Sequence, residues 1–199
     1  KICSEELFDK INYIDFNKIP YSECKNCGLI YQTNIYNLDE PTINSYYDKE
    51  YFQAGYEEPT IHLKKRDQQY DLDKKIILPY FDDNQNQSIL DFGCGNGVFL
   101  EKFKSQKFGY EVNESITKSK NITYLDNNTL YEKNFDLIIM RGVIEHIKNF
   151  DIDLKKIFGT LNKGGLFFIT ATPNSSCLSF FLDKINFNQN AKEHLYHFN

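Results

Sequence analysis

From residue 88 to residue 171 the hydrophobic pattern alternates between short unbroken apolar runs and stretches at helical spacing. Ile89, Leu90 and Phe92 read as a first buried strand, interrupted by Asp91. Glycines follow at every second position (Gly93, Gly95, Gly97), then Val98, Phe99, Leu100 and Phe103 recur at helical spacing. Phe108–Val112 predicts a second strand, 115–119 a short helix, and Ile122–Leu125 a third strand closed by a turn at Asp126–Asn128. Phe135–Met140 is continuously apolar, as befits a strand buried on both faces of a parallel sheet. Residues 151–161 predict a helix with Ile152, Leu154, Ile157, Phe158 and Leu161 inward; Asn162–Gly165 then reads as its stop and turn. Leu166–Ala171 is the fifth strand, ending at Pro173–Asn174. Upstream, Leu63, Tyr70, Ile77 and Phe81 predict a long helix over 61–82, with Pro79 near its end.

Strand, glycine turn and helix in this order are how an α/β sheet presents a ligand site at a strand's carboxyl end. Glycine permits positive φ and close backbone approach, and a helix start offers free N–H groups with partial positive charge. The expected fold is therefore α/β, a Rossmann-like, doubly wound, mostly parallel sheet, with a small cysteine-containing segment in front of it.

Composition narrows the function. At 199 residues the chain can bury one sizeable core. The net charge of −5, with lysines scattered among acids, gives no basic face and so does not favour a nucleic-acid partner. No apolar run approaches the roughly 18–20 residues of a membrane span, and the first residues carry no apolar signal region. The expected location is the cytoplasm, with no membrane partner. Oligomeric state is not legible.

The loop itself selects a ligand class. A dinucleotide fingerprint needs Gly-x-Gly-x-x-Gly, and Val98 stands where its third glycine belongs. The chain instead reads Asp91-x-Gly93-x-Gly95-x-Gly97, which resembles motif I of the class I S-adenosylmethionine-dependent methyltransferases. The resemblance implies a glycine loop beneath the methionine part of the cofactor, lined by Asp91, Gly93, Cys94 and Gly95, with Cys94 acting as a small residue. It also implies an acid at the end of the second strand. Glu111, 18 residues after Gly93, supplies it beside Val112, and its carboxylate can accept both ribose hydroxyls. By the same resemblance Asp126 is a candidate for the adenine amine. Arg141-Gly142-Val-Ile-Glu145-His146-Ile147 corresponds to motif IV, where Arg141 and Gly142 would line the site. The sheet of such enzymes continues past a point like Asn199 with a helix and two more strands, so the C-terminal strands are expected to be missing.

Residues 1–40 hold three of the five cysteines. Cys24-Lys-Asn-Cys27-Gly28 is a C-x-x-C-G turn that lets two thiolates face one metal ion; Cys3 is a candidate third ligand. A further C-x-x-C ending at Cys3 would begin one residue before Lys1. A redox pair or free thiols are the other readings. With Tyr46-Tyr47-Asp-Lys-Glu-Tyr51-Phe52, this segment resembles a group of bacterial methyltransferases that carry an N-terminal zinc-binding segment, several acting on sugars or surface-polysaccharide precursors. In that group Tyr47 and Tyr51 would close over the cofactor.

The boundaries read from sequence are 1–40, a zinc-ribbon-like segment; 41–87, an aromatic lid and helix; and 88–199, the cofactor-binding core. The expected activity is S-adenosylmethionine-dependent methyl transfer to a small hydroxylated acceptor, a sugar or nucleotide-sugar of cell-surface polysaccharide synthesis, with a structural zinc as second cofactor. Proton removal from such an acceptor suits histidine; His146, His194 and His197 are the candidates. Two alternatives stay open. One is a metal-assisted O-methyltransferase of a quinone-type or RNA-end substrate, using Glu145, His146 and a late histidine. The other is a non-catalytic zinc-ribbon interaction module on a degenerate core.

Overall fold

The computed structural model describes residues 11–15, 17–39, 41–42, 61–114, 116–183 and 193–199. They fall into two compact units. One comprises the chain up to residue 46 with 142–153 and 171–199; the other comprises 47–141 and 154–170.

The second unit holds the expected α/β core. Helix α1 (Ile61–Ile77) precedes β4 (Ser88–Phe92), β5 (Gln106–Tyr110), β6 (Thr123–Leu125), β7 (Phe135–Arg141) and β8 (Leu161–Thr170). The strand order is β6-β5-β4-β7-β8, and every neighbouring pair is parallel. The order reverses at β4, with Asp91 in register with Gly109 on one side and Ile139 on the other. Such a switch point leaves a crevice at the carboxyl ends of the strands. Ile89, Leu90, Leu137, Ile138 and Ile139 are completely buried; each apolar side chain so removed from water contributes about 1.5–3 kcal/mol. Tyr70 and Ile77 of α1 join Ile89, Phe99, Leu100, Phe103, Leu137 and Ile139 in one cluster.

Five local expectations differ from what is found. Val98–Phe103 is not a helix: turns at 98–99 lead into a single 3-10 turn, Leu100–Lys102. Only residues 93–105 join β4 to β5, and the glycine turn uses the first five, leaving too few for a helix and a return. Burial of Phe99, Leu100 and Phe103 survives without it. Residues 116–119 are likewise not helical. Asn162–Gly165 belongs to β8, where a register shift opposite Phe135–Leu137 absorbs the extra residues and Gly164 takes φ +82°. The helix α2 spans Phe150–Phe158, and α1 stops at Ile77, ahead of Pro79.

The first unit is built around a four-stranded antiparallel sheet. Strands β1 (Tyr13–Ile14), β2 (Pro20–Glu23), β3 (Ile30–Gln32) and β9 (Tyr196–His197) lie in that order. His197 is in register with Ile30 and Tyr196 with Tyr31. Tyr21, Ile30 and Phe180 of α3 (Leu178–Asp183) form its core, with Tyr13, Ile19 and Cys177 against them. Among the described residues no helix is long and apolar enough to cross a membrane.

Candidate functional site

In the second unit the glycine loop is fastened to its neighbour strand by backbone. Gly93 and Cys94 both donate N–H bonds to the Tyr110 carbonyl, at 2.8 and 3.1 Å, and Gly97 N–H closes onto Cys94 O at 3.0 Å. Gly93, Gly95 and Gly97 have φ of +80°, +55° and +81°, in the left-handed region where a Cβ is strained. Gly97 is further committed by space: a Cβ there would collide with the Ile122 side chain and stand 2.8 Å from Tyr124 Oη. Cys94 is buried, and its sulfur fits only because residue 109 is glycine; a Cβ on Gly109 would lie 2.6 Å from Sγ. Burial, then Asp91 and Glu111, push this thiol well above its usual range, so it is not a nucleophile.

Two carboxylates flank the loop. Glu111, directly after β5, accepts Gly95 N–H through Oε2 and Asn113 N–H through Oε1, both at 2.9 Å. Each oxygen keeps a second lone pair, so a vicinal diol could be received without breaking the loop's bonds. Asp91, at the end of β4, is 3% exposed, and its Oδ1 has no hydrogen-bond partner. Burial raises its pKa to about 7, partly offset by the Arg141 cation and reinforced by Glu111. An orphaned buried acceptor is costly; at the mouth of a crevice it fits a polar ligand atom that remains to be bound.

Arg141 ends β7. It donates from Nε to Asp73 Oδ2 at 2.8 Å and from Nη2 to Gln69 at 3.1 Å, and its guanidinium lies 4.8 Å over the Tyr70 ring. These three partners are one face of α1, spaced i, i+1 and i+4. That spacing was present in the sequence, but nothing there said the helix would meet Arg141. Asp126 accepts Thr129 N–H, Asn128 N–H and the Thr129 hydroxyl, bonds that depress its pKa. Val112 is exposed. Tyr47, Tyr51 and Cys3 lie outside the described residues.

The first unit brings together three of the residues singled out for chemistry. Glu145, His146 and His194 each present a donor atom, all within 4.8 Å of one another. Glu145 is buried; Thr172 donates its hydroxyl to Oε2 at 2.9 Å, while Oε1 stands 3.8 Å from His146 Nε2. His146 Nδ1 lies 2.8 Å from the Glu193 carbonyl. A carbonyl only accepts, so Nδ1 carries the proton and Nε2 the lone pair. Glu145 O in turn accepts Leu195 N–H at 2.8 Å, tying the two segments together. The His146 and His194 rings are 4.8 Å apart, and His197 is 6.0 Å beyond His194 and 5.4 Å from Tyr21. Burial raises the Glu145 pKa to about 7 and lowers His146 and His197 to about 4. His194 is lowered furthest, by burial and then by its two histidine neighbours. All three imidazoles are therefore neutral at pH 7. Gly142 (φ +62°) and Ala171 (φ +60°) flank the group, and Ala171 is an unusual left-handed alanine immediately before Thr172. Thr172 and the Glu193 carbonyl were missed in the sequence, where nothing marks a second contact sphere.

Cys24 and Cys27 frame a tight turn in the same unit. Cys24 N–H donates to Leu29 O and Gly28 N–H to Cys24 O, both at 2.8 Å, with Gly28 at φ +72°. Cys24 is buried and Cys27 exposed, and no disulfide joins them. Among the described residues neither belongs to a group of three that could hold a metal.

The five-stranded parallel sheet, reversing at the strand that carries the glycine loop, defines a Rossmann-like fold of the methyltransferase type. A sequence family described as a methyltransferase domain matches residues 63–198. The chain belongs to this family of S-adenosylmethionine-dependent methyltransferases. No curated protein matches it. Among solved structures, the YcgJ protein of Bacillus subtilis is similar at TM-score 0.52 and 15% identity, over 65% of this chain and 63% of that one. A candidate methyltransferase of Bacillus halodurans C-125 gives 0.50 and 15%, over the same 65% and 63%. Phosphoethanolamine N-methyltransferase 2 of Haemonchus contortus, in complex with S-adenosyl-L-methionine, gives 0.49 and 20%, over 81% of this chain and 38% of that one. The chain spans less than two thirds of the length of each. The first two likenesses show the shared fold.

Proposed function

We propose that the chain transfers a methyl group from S-adenosylmethionine to a small hydroxylated acceptor, a sugar or nucleotide-sugar. The single observation that carries the cofactor assignment is the junction of Glu111 and Gly95: a carboxylate with spare lone pairs, held at 2.9 Å by the amide of a positive-φ glycine at the sheet's switch point. Asp91 Oδ1, buried and unsatisfied, is the second feature that fits a bound polar group. The cofactor supplies a methyl already activated on a sulfonium. In this reading Glu111 grips the ribose, the loop amides face the methionine part, and Asp91 Oδ1 accepts from a polar group of the ligand. Arg141, fixed by Asp73 and Gln69, holds positive charge near Asp91.

For the acceptor we assign His146 and His194 as proton-accepting candidates. Both are neutral at pH 7, and the burial that keeps them so also weakens them as bases, so their share of proton removal is smaller than that of a histidine titrating near 7. His197, fully buried on β9, is a positioning residue in this scheme. Alignment of the acceptor supplies several kcal/mol of the barrier, and a positioned base roughly 10²–10⁴-fold. The sugar preference rests on the resemblance of residues 24–52 to polysaccharide-modifying enzymes, and with it go a zinc ion on Cys3, Cys24 and Cys27 and a cytoplasmic location.

The test is incubation with S-adenosylmethionine and a panel of nucleotide-sugars, read by mass spectrometry. A product heavier by one methylene, formed with release of S-adenosylhomocysteine, supports the assignment. Methylation confined to quinones or RNA ends would replace the acceptor. Cofactor binding without any product would favour the non-catalytic interaction module.

A further inference from the structure

The histidine cluster of the first unit has the composition and support of a metal site. Its donors are one carboxylate oxygen and two imidazole nitrogens, gathered from Glu145, His146 and His194 within 4.8 Å. Donors bonded to one ion at about 2.0–2.2 Å stand somewhat closer than this, so modest side-chain rotation would complete the set.

The surroundings argue for an ion rather than for a merely packed histidine pair. Glu145 and His146 are each oriented by a separate side-chain contact, and the segment carrying His194 is tied to them through backbone. The Glu193 carbonyl fixes the proton of His146 on Nδ1, which leaves Nε2 as the ligating nitrogen on the side of Glu145. Thr172 takes Glu145 Oε2, leaving Oε1 as the oxygen nearest that nitrogen. The backbone bond from Leu195 to Glu145 sets the register of the segment that carries His194. A ring nitrogen bonded to a backbone carbonyl and a carboxylate bonded to a hydroxyl are the outer contacts that hold ligands ready in metal sites. Gly142 leaves room beside Oε1, where a Cβ would come no nearer than 3.8 Å.

We propose that Glu145, His146 and His194 bind one divalent first-row transition ion, Zn²⁺ being the best match to a two-histidine, one-carboxylate set. Three protein donors leave a further coordination position for water or a hydroxyl oxygen, unlike the four-ligand closure of a purely structural zinc. Ion binding itself does not depend on the methyltransferase reading. Only its consequence does: an ion there would lower the pKa of a coordinated acceptor hydroxyl and take over the role assigned above to a neutral imidazole.

The test is calorimetric titration of the chelator-stripped full chain with Zn²⁺, and with Mn²⁺ and Mg²⁺ in parallel. Cys24→Ser/Cys27→Ser serves as a background that removes the thiol site. The expected result is one equivalent of Zn²⁺ bound in that background, weakened at least 30-fold by Glu145→Gln and by His194→Gln. Unchanged affinity in those variants, or binding of Mg²⁺ alone, overturns the assignment. To keep the test independent of how those variants fold, Co²⁺ is also added to the wild-type chain. Visible d–d absorption that persists in the Cys24→Ser/Cys27→Ser background supports the site. Loss of all cobalt absorption in that background places the ion on the thiols and overturns the proposal.

Discussion

The glycine loop and the histidine cluster are built from opposite materials. The loop is backbone: three positive-φ glycines, amides bonded to Tyr110 and Glu111, and a sulfur seated against Gly109. The cluster is side chain, with residues 145–146 and 194 meeting across 48 positions. Backbone sites tolerate almost no added atoms but need few residue identities. Side-chain sites depend on identity and on the fold that collects them. The electrostatics diverge in the same way. Burial raises one acid in each region, Asp91 and Glu145, to about 7, but only the cluster adds imidazoles, which the same burial lowers.

This contrast can be broken at several points. Gly97→Val should be the most damaging, costing on the order of 3 kcal/mol through positive-φ strain and collision with Ile122 and Tyr124. Thermal melting would show it, and a wild-type melting curve would mean that the loop is looser than described. Glu111→Ala should weaken S-adenosylhomocysteine about 100-fold or more, since two charge-assisted bonds to the ribose are lost, and should also lower the melting temperature because Gly95 and Asn113 N–H lose their acceptor. Near-wild-type affinity would remove Glu111 from the site.

Asp91→Asn probes the buried acid. The folded-state pKa of about 7 lies above the ordinary 3.8. Below about pH 4 the proton is held in both states and the residue is neutral to stability. Between about 4 and 7 the unfolded chain releases it first, so stability falls as pH rises. The variant should therefore match wild type near pH 4 and exceed it by about 1–3 kcal/mol at pH 8. Denaturant unfolding at the two pH values checks this; parallel wild-type and variant profiles would contradict it. The smallest effect is expected at Gly142→Ala. A Cβ there meets Ala171 O and Glu145 Oε1 only at 3.8 Å, leaving a left-handed strain of about 1 kcal/mol. A loss as large as that of Gly97→Val would erase the distinction between the two regions.

The same contrast explains what could be read before folding. Asp91, the three glycines and Glu111 are close in sequence, and parallel pairing of β4 with β5 fixes their meeting. β4 and β7 were legible because strands buried on both faces are continuous apolar runs, whereas β5 (Gln106–Tyr110) and β8 (Leu161–Thr170), half-buried, begin before the apolar runs that marked them. The helix after Gly97 was misread, since spacing at Val98–Phe103 reports burial and not the length available before β5. Pairing of β9 with β3 was invisible, as two short antiparallel segments more than 160 residues apart carry no mutual signal. The three histidines were noticed as residues, but Thr172, Asp73 and the Glu193 carbonyl orient their partners only through the tertiary fold.

The most direct measurement is a crystal structure of the chain with S-adenosylhomocysteine. The account predicts the ribose hydroxyls within hydrogen-bonding distance of the Glu111 carboxylate and the amino-acid portion against residues 93–97. A ligand bound elsewhere, or no density beside that loop at saturating concentration, would contradict it.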